Sequence, residues 1–216
     1  MTGSNADPSL QRELDTLALP GLLIGHRFIS PGDEFALLDE EAASIVSPLV
    51  DVRRASGAAR IVARQLLAQL GYGGVAVPKG ASGEPIWPAG ITGSMAHDDD
   101  VAVAAVGMPH DIASVGIDVE PAVPLPPDML DLVATPHELR DIAGNPLRGK
   151  LLFAAKEAIY KAAYPLDRVF LEFRDIEVDL AGRTAVTRTG RALVLRYVAS
   201  SHIVVVALIG ASKMMR

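Results

Sequence analysis

The chain has 216 residues, with 20 lysines and arginines, 26 aspartates and glutamates and no cysteine. Half of the residues are hydrophobic and 21% are charged, which is typical of a globular protein rather than a disordered one. The net charge of −6 argues against a general nucleic-acid coat. The absence of cysteine excludes disulfides, thiolate nucleophiles and cysteine-ligated metals. The length suits one large domain or two lobes of about 100 residues each.

Neither a signal peptide nor a membrane span is visible in the sequence. The N-terminal stretch MTGSNADPSLQREL lacks a positive segment followed by an apolar one. The longest apolar runs, such as 101–106 and 203–209, are far shorter than the roughly 20 residues that a membrane span needs. We therefore expect a cytoplasmic protein with no membrane or nucleic-acid partner.

Periodicity and turn residues predict the elements of the first half. In chain order these are a loose tail with a short helix in 1–20, a strand at 22–28, helices at 39–45 and 51–70, a short strand at 75–78, a Gly/Pro-rich loop at 79–90, and strands at 91–95 and 101–106. Gly71 stands where a glycine commonly ends a helix.

The second half is predicted to be helical first and then rich in strands. Its elements are a strand at 115–120, a proline-rich loop at 121–127, helices at 128–133, 136–143 and 148–164, and strands at 174–180, 184–188, 192–199 and 202–209. Helices mixed with a mostly antiparallel sheet indicate the α+β class. A boundary near 108–114 divides the chain into similar halves, which we take as an N-terminal lobe (1–110) and a C-terminal lobe (111–216).

The segment SVGIDVEP carries two carboxylates on one strand. Alternate residues of a strand share a face, so Asp118 and Glu120 point the same way. Two ionised carboxylates this close repel each other, and a divalent cation such as Mg²⁺ relieves the repulsion. The alternative is an ordinary solvent-facing strand with acidic residues.

The segment LLFAAKEAIYKAAYP predicts a helix on which Glu157 and Lys161 are i, i+4 neighbours, with Lys150 on the same face. Leu152, Ile159 and Ala163 lie on the opposite face and can pack on a sheet. In a functional interpretation, Glu157 adds a third carboxylate to the metal site and Lys161 contacts a phosphate. The alternative is a helix-stabilising ion pair.

Positive charge is concentrated in RRASGAARIVARQLLAQLG, where Arg53, Arg60 and Arg64 fall on one helical stripe. Such a stripe in an acidic protein suggests a local anionic ligand, although a solvated helix face has the same pattern. Lys79 begins the loop KGASGEPIWP, and His97 follows a strand in GSMAH, near Ser94.

The order of these motifs is more specific than any one of them. GEPxWP, GSxxH, GIDxE and AKEAxYKA follow one another here, and over about residues 51–164 the chain resembles the Sfp-type 4′-phosphopantetheinyl transferases, especially their enterobactin-type bacterial and actinobacterial branch. The resemblance implies a monomer of two similar α/β lobes related by a pseudo-twofold axis, with coenzyme A (CoA) and Mg²⁺ between them. It also implies transfer of the phosphopantetheine arm of CoA to a serine of an acyl or peptidyl carrier protein, with release of adenosine 3′,5′-bisphosphate.

The resemblance assigns roles to individual residues. It places Asp118, Glu120 and Glu157 around the metal, which is Mg²⁺ or Mn²⁺. It makes Glu157 or a metal-bound water the base for the incoming serine, and it sets Lys161 beside the pyrophosphate, where it could assist the leaving group. The residues implied to bind CoA are Arg53 (or Arg54), Arg60, Lys79, His97, Lys161 and, more weakly, Lys156.

The chain departs from the family pattern at two places. Many members have a hydroxyl residue just before the histidine, where this chain has Ala96, so one hydrogen bond to the phosphate is either missing or supplied by Ser94. Surfactin-type members carry a lysine where Glu84 stands, so in this chain the basic contact of the loop with CoA is expected from Lys79. The motifs leave the pathway open among siderophore, polyketide, nonribosomal peptide and fatty-acid biosynthesis.

The carrier protein could dock on the loop at 121–127 and the helix at 128–133, through Leu125, Met129 and Leu130, although core packing explains these residues equally well. Two other functions compete with the transferase. One is a metal-dependent phosphohydrolase with His97 and Asp98 as an HD-type pair. The other is a non-catalytic anion-binding module built on the arginine helix, which would not need Asp118, Glu120 or Glu157.

Overall fold

One long helix, shorter helices and an antiparallel sheet make up each of the two units into which the chain divides. The computed structural model describes residues 6–211. The first unit ends at Pro109 and the second begins at His110. Both units mix helices with antiparallel strands, which confirms the predicted α+β class. Within residues 6–211, no helix is both long and apolar enough to cross a membrane.

The first unit places its long helix on a three-stranded sheet of order β1-β3-β2. Its elements are α1 (Pro8–Asp15), β1 (Leu22–Phe28), α2 (Asp39–Ser44), α3 (Val50–Gln69), β2 (Thr92–His97) and β3 (Val101–Gly107), with a 3₁₀ turn at Asp33–Phe35. Val62 and Leu66 of α3 pack in the core with Ala104 and Val106 of β3. The helix ends as predicted, since Gly71 follows it with a φ of +88°.

The second unit repeats this plan with a five-stranded antiparallel sheet of order β4-β8-β7-β6-β5. Its elements are β4 (Ile112–Pro121), α4 (Pro127–Val133), α5 (Pro136–Ile142), α6 (Pro146–Asp167), β5 (Ile176–Asp179), β6 (Thr184–Thr187), β7 (Ala192–Ala199) and β8 (His202–Gly210), with a 3₁₀ turn at Phe173–Asp175. The predicted inner face of α6 is confirmed, because Leu152, Ile159 and Ala163 are fully buried.

Helix α6 approaches strand β4 closely, and this approach sets the position of the candidate site. Gly116 makes it possible, because a Cβ at this position would lie 1.9 Å from the carbonyl oxygen of Ala158. Two residues earlier on β4, the Ser114 hydroxyl donates a 2.7 Å hydrogen bond to the carbonyl of Ala162. The strand and the helix are therefore fixed against each other next to the SVGIDVEP and KEAIYK residues.

Each unit also contains a buried ion pair with the same connections. In the second unit Glu138, the third residue of α5, pairs with Lys156 of α6 and accepts a hydrogen bond from the amide of Val178. In the first unit Glu41, the third residue of α2, pairs with Arg64 of α3 and accepts from the amide of Val77. In both units, one acidic residue joins a short helix, the long helix and an extended segment.

Two sequence predictions of local structure were wrong. Residues 75–78 form no strand. The Val77 amide donates its hydrogen bond to the Glu41 carboxylate, and this carboxylate takes the place that a neighbouring strand would have. The strand predicted from residue 174 begins at Ile176, because the preceding three residues form the 3₁₀ turn.

Candidate active site

The carboxylates of β4 and the polar face of α6 meet beside the Gly116 contact. Asp118 and Glu120 alternate with the buried residues Ile117 and Val119 along β4. This confirms that the two carboxylates share one face of the strand. Each of them is held by a lysine of α6 in the structure.

Lys161 is paired with Asp118. Its Nζ lies 2.6 Å from Oδ1 of Asp118 and 3.3 Å from the carbonyl oxygen of Ile117. The sequence placed both residues near a phosphate or a metal but did not predict that they touch each other. The contact joins residues 43 positions apart, and it depends on the close approach of α6 to β4.

Burial raises the pKa of Asp118 to about 6. The Lys161 ammonium opposes this rise, while the negative charges of Glu120 and Glu157 add to it. The second carboxylate oxygen, Oδ2, is buried and has no hydrogen-bond partner within the described part of the chain. Asp118 is thus a carboxylate with too little positive charge around it, as expected at a site that receives a cation.

Glu157 lies one helical turn before Lys161 on the half-buried face of α6. Burial raises its pKa as well, Lys161 lowers it and Glu120 raises it, so these groups share one electrostatic environment. A carboxylate with a raised pKa can take up a proton more readily than a fully solvated one.

Lys156 does not belong to this polar face, and its prediction as a phosphate-binding residue was wrong. Its side chain is fully buried, and its Nζ donates to Glu138 at 2.7 Å and to the carbonyls of Val133 and Phe173, both at 2.9 Å. An ammonium has three protons to donate, so all three are used inside the fold. Burial lowers the pKa of Lys156, and the adjacent Glu138 opposes the shift.

The residues present suit a hard divalent cation. Three carboxylates lie close enough to influence one another, and the buried Oδ2 of Asp118 is an acceptor to which no residue in 6–211 donates. Carboxylate oxygens are the ligands that Mg²⁺ prefers. Across residues 6–211, however, no three His, Cys, Asp or Glu side chains converge as a preformed metal site. The strand carboxylates instead face lysine ammonium groups.

A cavity of about 760 Å³ lies beside this cluster within the second unit. Glu157 lines it together with mainly apolar and aromatic side chains, which include Leu132, Tyr160, Phe170 and Phe173. An elongated ligand with both polar and apolar parts could therefore reach Glu157 from this cavity.

In the first unit, the structure separates the two candidate arginines at the start of α3. Arg54 is ion-paired with Glu34 at 3.0 Å and with Asp51 at 2.8 Å, so its charge is already compensated. Arg53 donates to the uncharged carbonyl of Ser47 at 2.6 Å, and within residues 6–211 no carboxylate forms an ion pair with it. Arg53 is therefore the better candidate for an anionic ligand.

The other cations of this unit differ in exposure. Arg60 is 6% exposed, and its guanidinium donates to the carbonyls of Val77 and Ser56 at 2.9 and 3.2 Å. Burial lowers the pKa of Arg60. Lys79 is exposed in the loop that follows Val77. Arg60 therefore helps to fix the segment that carries Lys79.

Ser94 and His97 are three residues apart on β2, so they point to opposite faces of the sheet. Ser94 is 4% exposed, whereas His97 is exposed at the strand end. Ser94 therefore does not lie beside His97, which favours the alternative that this chain lacks that phosphate hydrogen bond. Asp98 does not form an HD-type pair either. Its Oδ1 accepts hydrogen bonds from the amides of Asp100 and Val101 in a tight turn.

Sequence reasoning missed two residues of the site region. Lys150 pairs with Glu120, with Nζ 2.9 Å from Oε2, although the sequence placed it only on the same helix face as Glu157. Glu138, the partner of Lys156, carried a visible signal in TPHE, since threonine followed three residues later by glutamate is a capping-box pattern. For Leu125, Met129 and Leu130 the sequence left carrier docking and core packing open, and in the structure they belong to or pack on the core of the second unit.

Two family models match the chain. The 4′-phosphopantetheinyl transferase N-terminal domain matches residues 40–107, and the 4′-phosphopantetheinyl transferase superfamily model matches residues 114–207. The two matches fall one on each structural unit. Asp118, Glu120, Glu157 and Lys161 all lie in the second match.

Three curated proteins are similar to this chain. It is 39% identical to the 4′-phosphopantetheinyl transferase Svp of Streptomyces mobaraensis, over 76% of this chain and 70% of that protein. It is 43% identical to Npt of Nocardia iowensis, over 56% of this chain and 55% of that protein. It is 38% identical to PptT of Mycobacterium tuberculosis (strain ATCC 25618 / H37Rv), over 65% of this chain and 64% of that protein. The chain therefore belongs to the 4′-phosphopantetheinyl transferase superfamily, as the order of its motifs predicted, and is an enzyme of that kind.

Proposed function

We propose that this enzyme transfers the 4′-phosphopantetheine arm of CoA to a serine hydroxyl of an acyl or peptidyl carrier protein. The observation that carries the proposal is the grouping of Asp118, Glu120, Glu157 and Lys161 on β4 and α6, in the unit that matches the superfamily model. A phosphoryl transfer from CoA requires cationic and proton-accepting groups around a pyrophosphate, and this cluster can supply both.

Asp118, Glu120 and Glu157 would hold the divalent ion, Mg²⁺ or Mn²⁺, together with the CoA pyrophosphate. When bound, the ion would neutralise negative charge on the phosphates under attack. The buried Oδ2 of Asp118 supports this role, because a cation would give it the partner that the described residues do not supply. The raised pKa of Asp118 supports it too, since a cation would favour the ionised carboxylate.

Glu157 and Lys161 have different roles in the reaction, since one accepts a proton and the other stabilises negative charge. In the reaction the serine oxygen forms a bond to the β-phosphorus of CoA, and the bond from that phosphorus to the bridging oxygen of the pyrophosphate breaks. Glu157 takes the proton that the serine hydroxyl loses. Lys161 donates a hydrogen bond to the departing phosphate, so that adenosine 3′,5′-bisphosphate leaves with its developing charge stabilised.

Two regions would hold the rest of CoA. In the first unit Arg53, Lys79 and His97 present positive or hydrogen-bonding groups for the 3′-phosphate end, and the buried Arg60 fixes the segment before Lys79. In the second unit the cavity beside Glu157 would take the pantetheine arm, because its apolar lining suits that part of the molecule.

The experiment is a mixture of the protein, CoA, Mg²⁺ and an apo carrier protein, read by intact mass. We expect the carrier to gain one phosphopantetheine and to gain none when Mg²⁺ is removed by a chelator. Acyl and peptidyl carriers are tested separately, since the sequence does not identify the partner. No gain on any of several apo carriers, with folded protein and metal present, would refute the transferase proposal. A monomeric state and a cytoplasmic location stay predictions.

A further inference from the structure

Lys150 is bound to Glu120, although it lies outside the KEAIYK motif. Its Nζ is 2.9 Å from Oε2 of Glu120, and the two side chains are 12% and 21% exposed. The ammonium also lies 5.6 Å from the centre of the Phe153 ring, which gives it a second favourable contact. The pair is therefore largely shielded from water and stronger than an exposed ion pair.

The Lys150 contact parallels the contact of Lys161 with Asp118. The two acidic residues that share one face of β4 each have a lysine of α6 as partner, at 2.9 and 2.6 Å. With Glu157 included, the cluster contains three carboxylates and two ammonium groups. Because each lysine supplies only one positive charge, the site is left short of cationic charge while both strand carboxylates are held in place.

We propose that Lys150 is a positioning residue that holds Glu120 when no metal is bound and competes with the divalent ion for that carboxylate. This inference rests on the proposed function, in which Glu120 is a metal ligand. The ion and the ammonium are both attracted to the Glu120 oxygens, and the two positive charges repel each other. Metal binding therefore requires Lys150 to release Glu120. A lysine can do this readily, since its charge sits at the end of a flexible four-carbon stem.

The arrangement has two measurable consequences. Without metal, Lys150 offsets the repulsion of Glu120 by Asp118 and Glu157, so it stabilises the folded protein. With metal, the same lysine opposes binding, so it lowers the affinity of the site. Removing the Lys150 charge should therefore weaken the metal-free fold and strengthen metal binding, whereas loss of an ordinary stabilising contact would not tighten binding.

The test is a Mn²⁺ titration of the full chain, with free Mn²⁺ measured by electron paramagnetic resonance and CoA held at one saturating concentration. The variants are Lys150→Met and, to restore the charge, Lys150→Arg. Arg148→Met is the matched control, because Arg148 is an exposed cation of the same helix that donates to the Asp141 carbonyl. Asp118→Asn reports whether Mn²⁺ is bound at this site.

We expect Lys150→Met to lower the Mn²⁺ dissociation constant about tenfold. Lys150→Arg and Arg148→Met should stay within about twofold of the wild type. The thermal midpoint of metal-free Lys150→Met should fall, and its rise on adding Mn²⁺ should exceed that of the wild type. If Lys150→Met does not fold, Lys150→Gln takes its place in the same titration.

An unchanged or larger dissociation constant in Lys150→Met would overturn the assignment of Lys150 and leave the transferase proposal intact, provided that the wild type binds Mn²⁺ and Asp118→Asn does not. If Asp118→Asn binds Mn²⁺ as the wild type does, or the wild type binds none, the metal site itself is refuted, and the role of Lys150 with it.

Discussion

The ammonium of Lys156 and the carboxylate of Glu138 lie 2.7 Å apart, with 0% and 4% of their side chains exposed. The lysine also bonds the carbonyls of Val133 and Phe173, so it links α4, α5 and the 3₁₀ turn to α6. Of these connected segments, α4, α6 and the 3₁₀ turn contribute residues to the wall of the cavity beside Glu157. A residue of the KEAIYK motif thus stabilises the frame of the site rather than contacting a phosphate.

Replacing Lys156 with methionine should lower the free energy of unfolding by about 3–5 kcal/mol, because Glu138 is left buried without its charge partner. Arg64→Met should have a comparable effect in the first unit, where Arg64 pairs with the fully buried Glu41. Urea denaturation measures both changes. Arg140→Met, an exposed cation of α5, is the control and should change stability by less than about 0.5 kcal/mol. A small loss in Lys156→Met would show that Glu138 does not depend on this partner.

Lys156 illustrates a kind of contact that a sequence pattern cannot predict. The sequence predicted β7 at 192–199 and placed Gly71 after α3, because turn residues and periodicity are local signals. It also predicted the shared face of Asp118 and Glu120, since strand alternation is local too. The partners of Lys156 lie 17–23 residues away in segments that fold over α6, and spacing alone cannot reveal such contacts.

The stability of the metal-free protein should depend on Asp118 and on pH. The folded pKa of Asp118 is raised from 3.8 to about 6, so the folded state binds its proton more tightly than the unfolded state does. Ionisation of Asp118 therefore lowers the free energy of unfolding as pH rises from about 4 to 6. Above pH 6 this loss of stability is complete and amounts to about 3 kcal/mol. Asp118→Asn removes that penalty, so the variant should be more stable than the wild type at pH 7 without metal.

Chemical denaturation at several pH values, with chelator present, measures this difference. The advantage of Asp118→Asn should shrink as pH falls and disappear below about pH 4, where Asp118 is protonated in both states. Asp99→Asn, which alters an exposed carboxylate of a turn, should show no such trend. If Asp118→Asn is less stable than the wild type at pH 7, the carboxylate is not under electrostatic strain in the folded protein.

Gly116→Ala should disturb both the fold and the site. The added Cβ would meet the carbonyl oxygen of Ala158 at 1.9 Å, so α6 and β4 must move apart. We expect a loss of about 1–3 kcal/mol in the free energy of unfolding, together with a fall in transfer rate as Lys161 withdraws from Asp118. Gly73→Ala is the matched control, because a Cβ added there would meet no heavy atom within 4 Å, and it should change neither property. Equal stabilities of the two variants would contradict the close approach.

Arg53 and Arg54 should differ in their effect on CoA binding even though they are neighbours. Arg53→Gln should raise the KM for CoA about tenfold with kcat unchanged, since the 3′-phosphate is remote from the reacting phosphorus. Arg54→Gln should leave that KM within about twofold of the wild type, because Glu34 and Asp51 already neutralise Arg54. Steady-state kinetics with varied CoA separates the two. If Arg54→Gln raised the KM for CoA more than Arg53→Gln does, the contact with the 3′-phosphate would belong to Arg54 instead.

Glu157→Gln should abolish most of the transfer activity while the fold persists. Glutamine keeps the shape of the side chain but cannot accept the serine proton, so kcat should fall at least about 100-fold. The thermal midpoint should not fall, because burial disfavours the charge that the substitution removes, as the raised pKa of Glu157 indicates. Intact-mass kinetics on an apo carrier measures the rate, with Glu177→Gln, an exposed carboxylate of β5, as the control. Transfer at the wild-type rate by Glu157→Gln would mean that another group takes the proton and that the carboxylate of Glu157 is not needed to hold the metal.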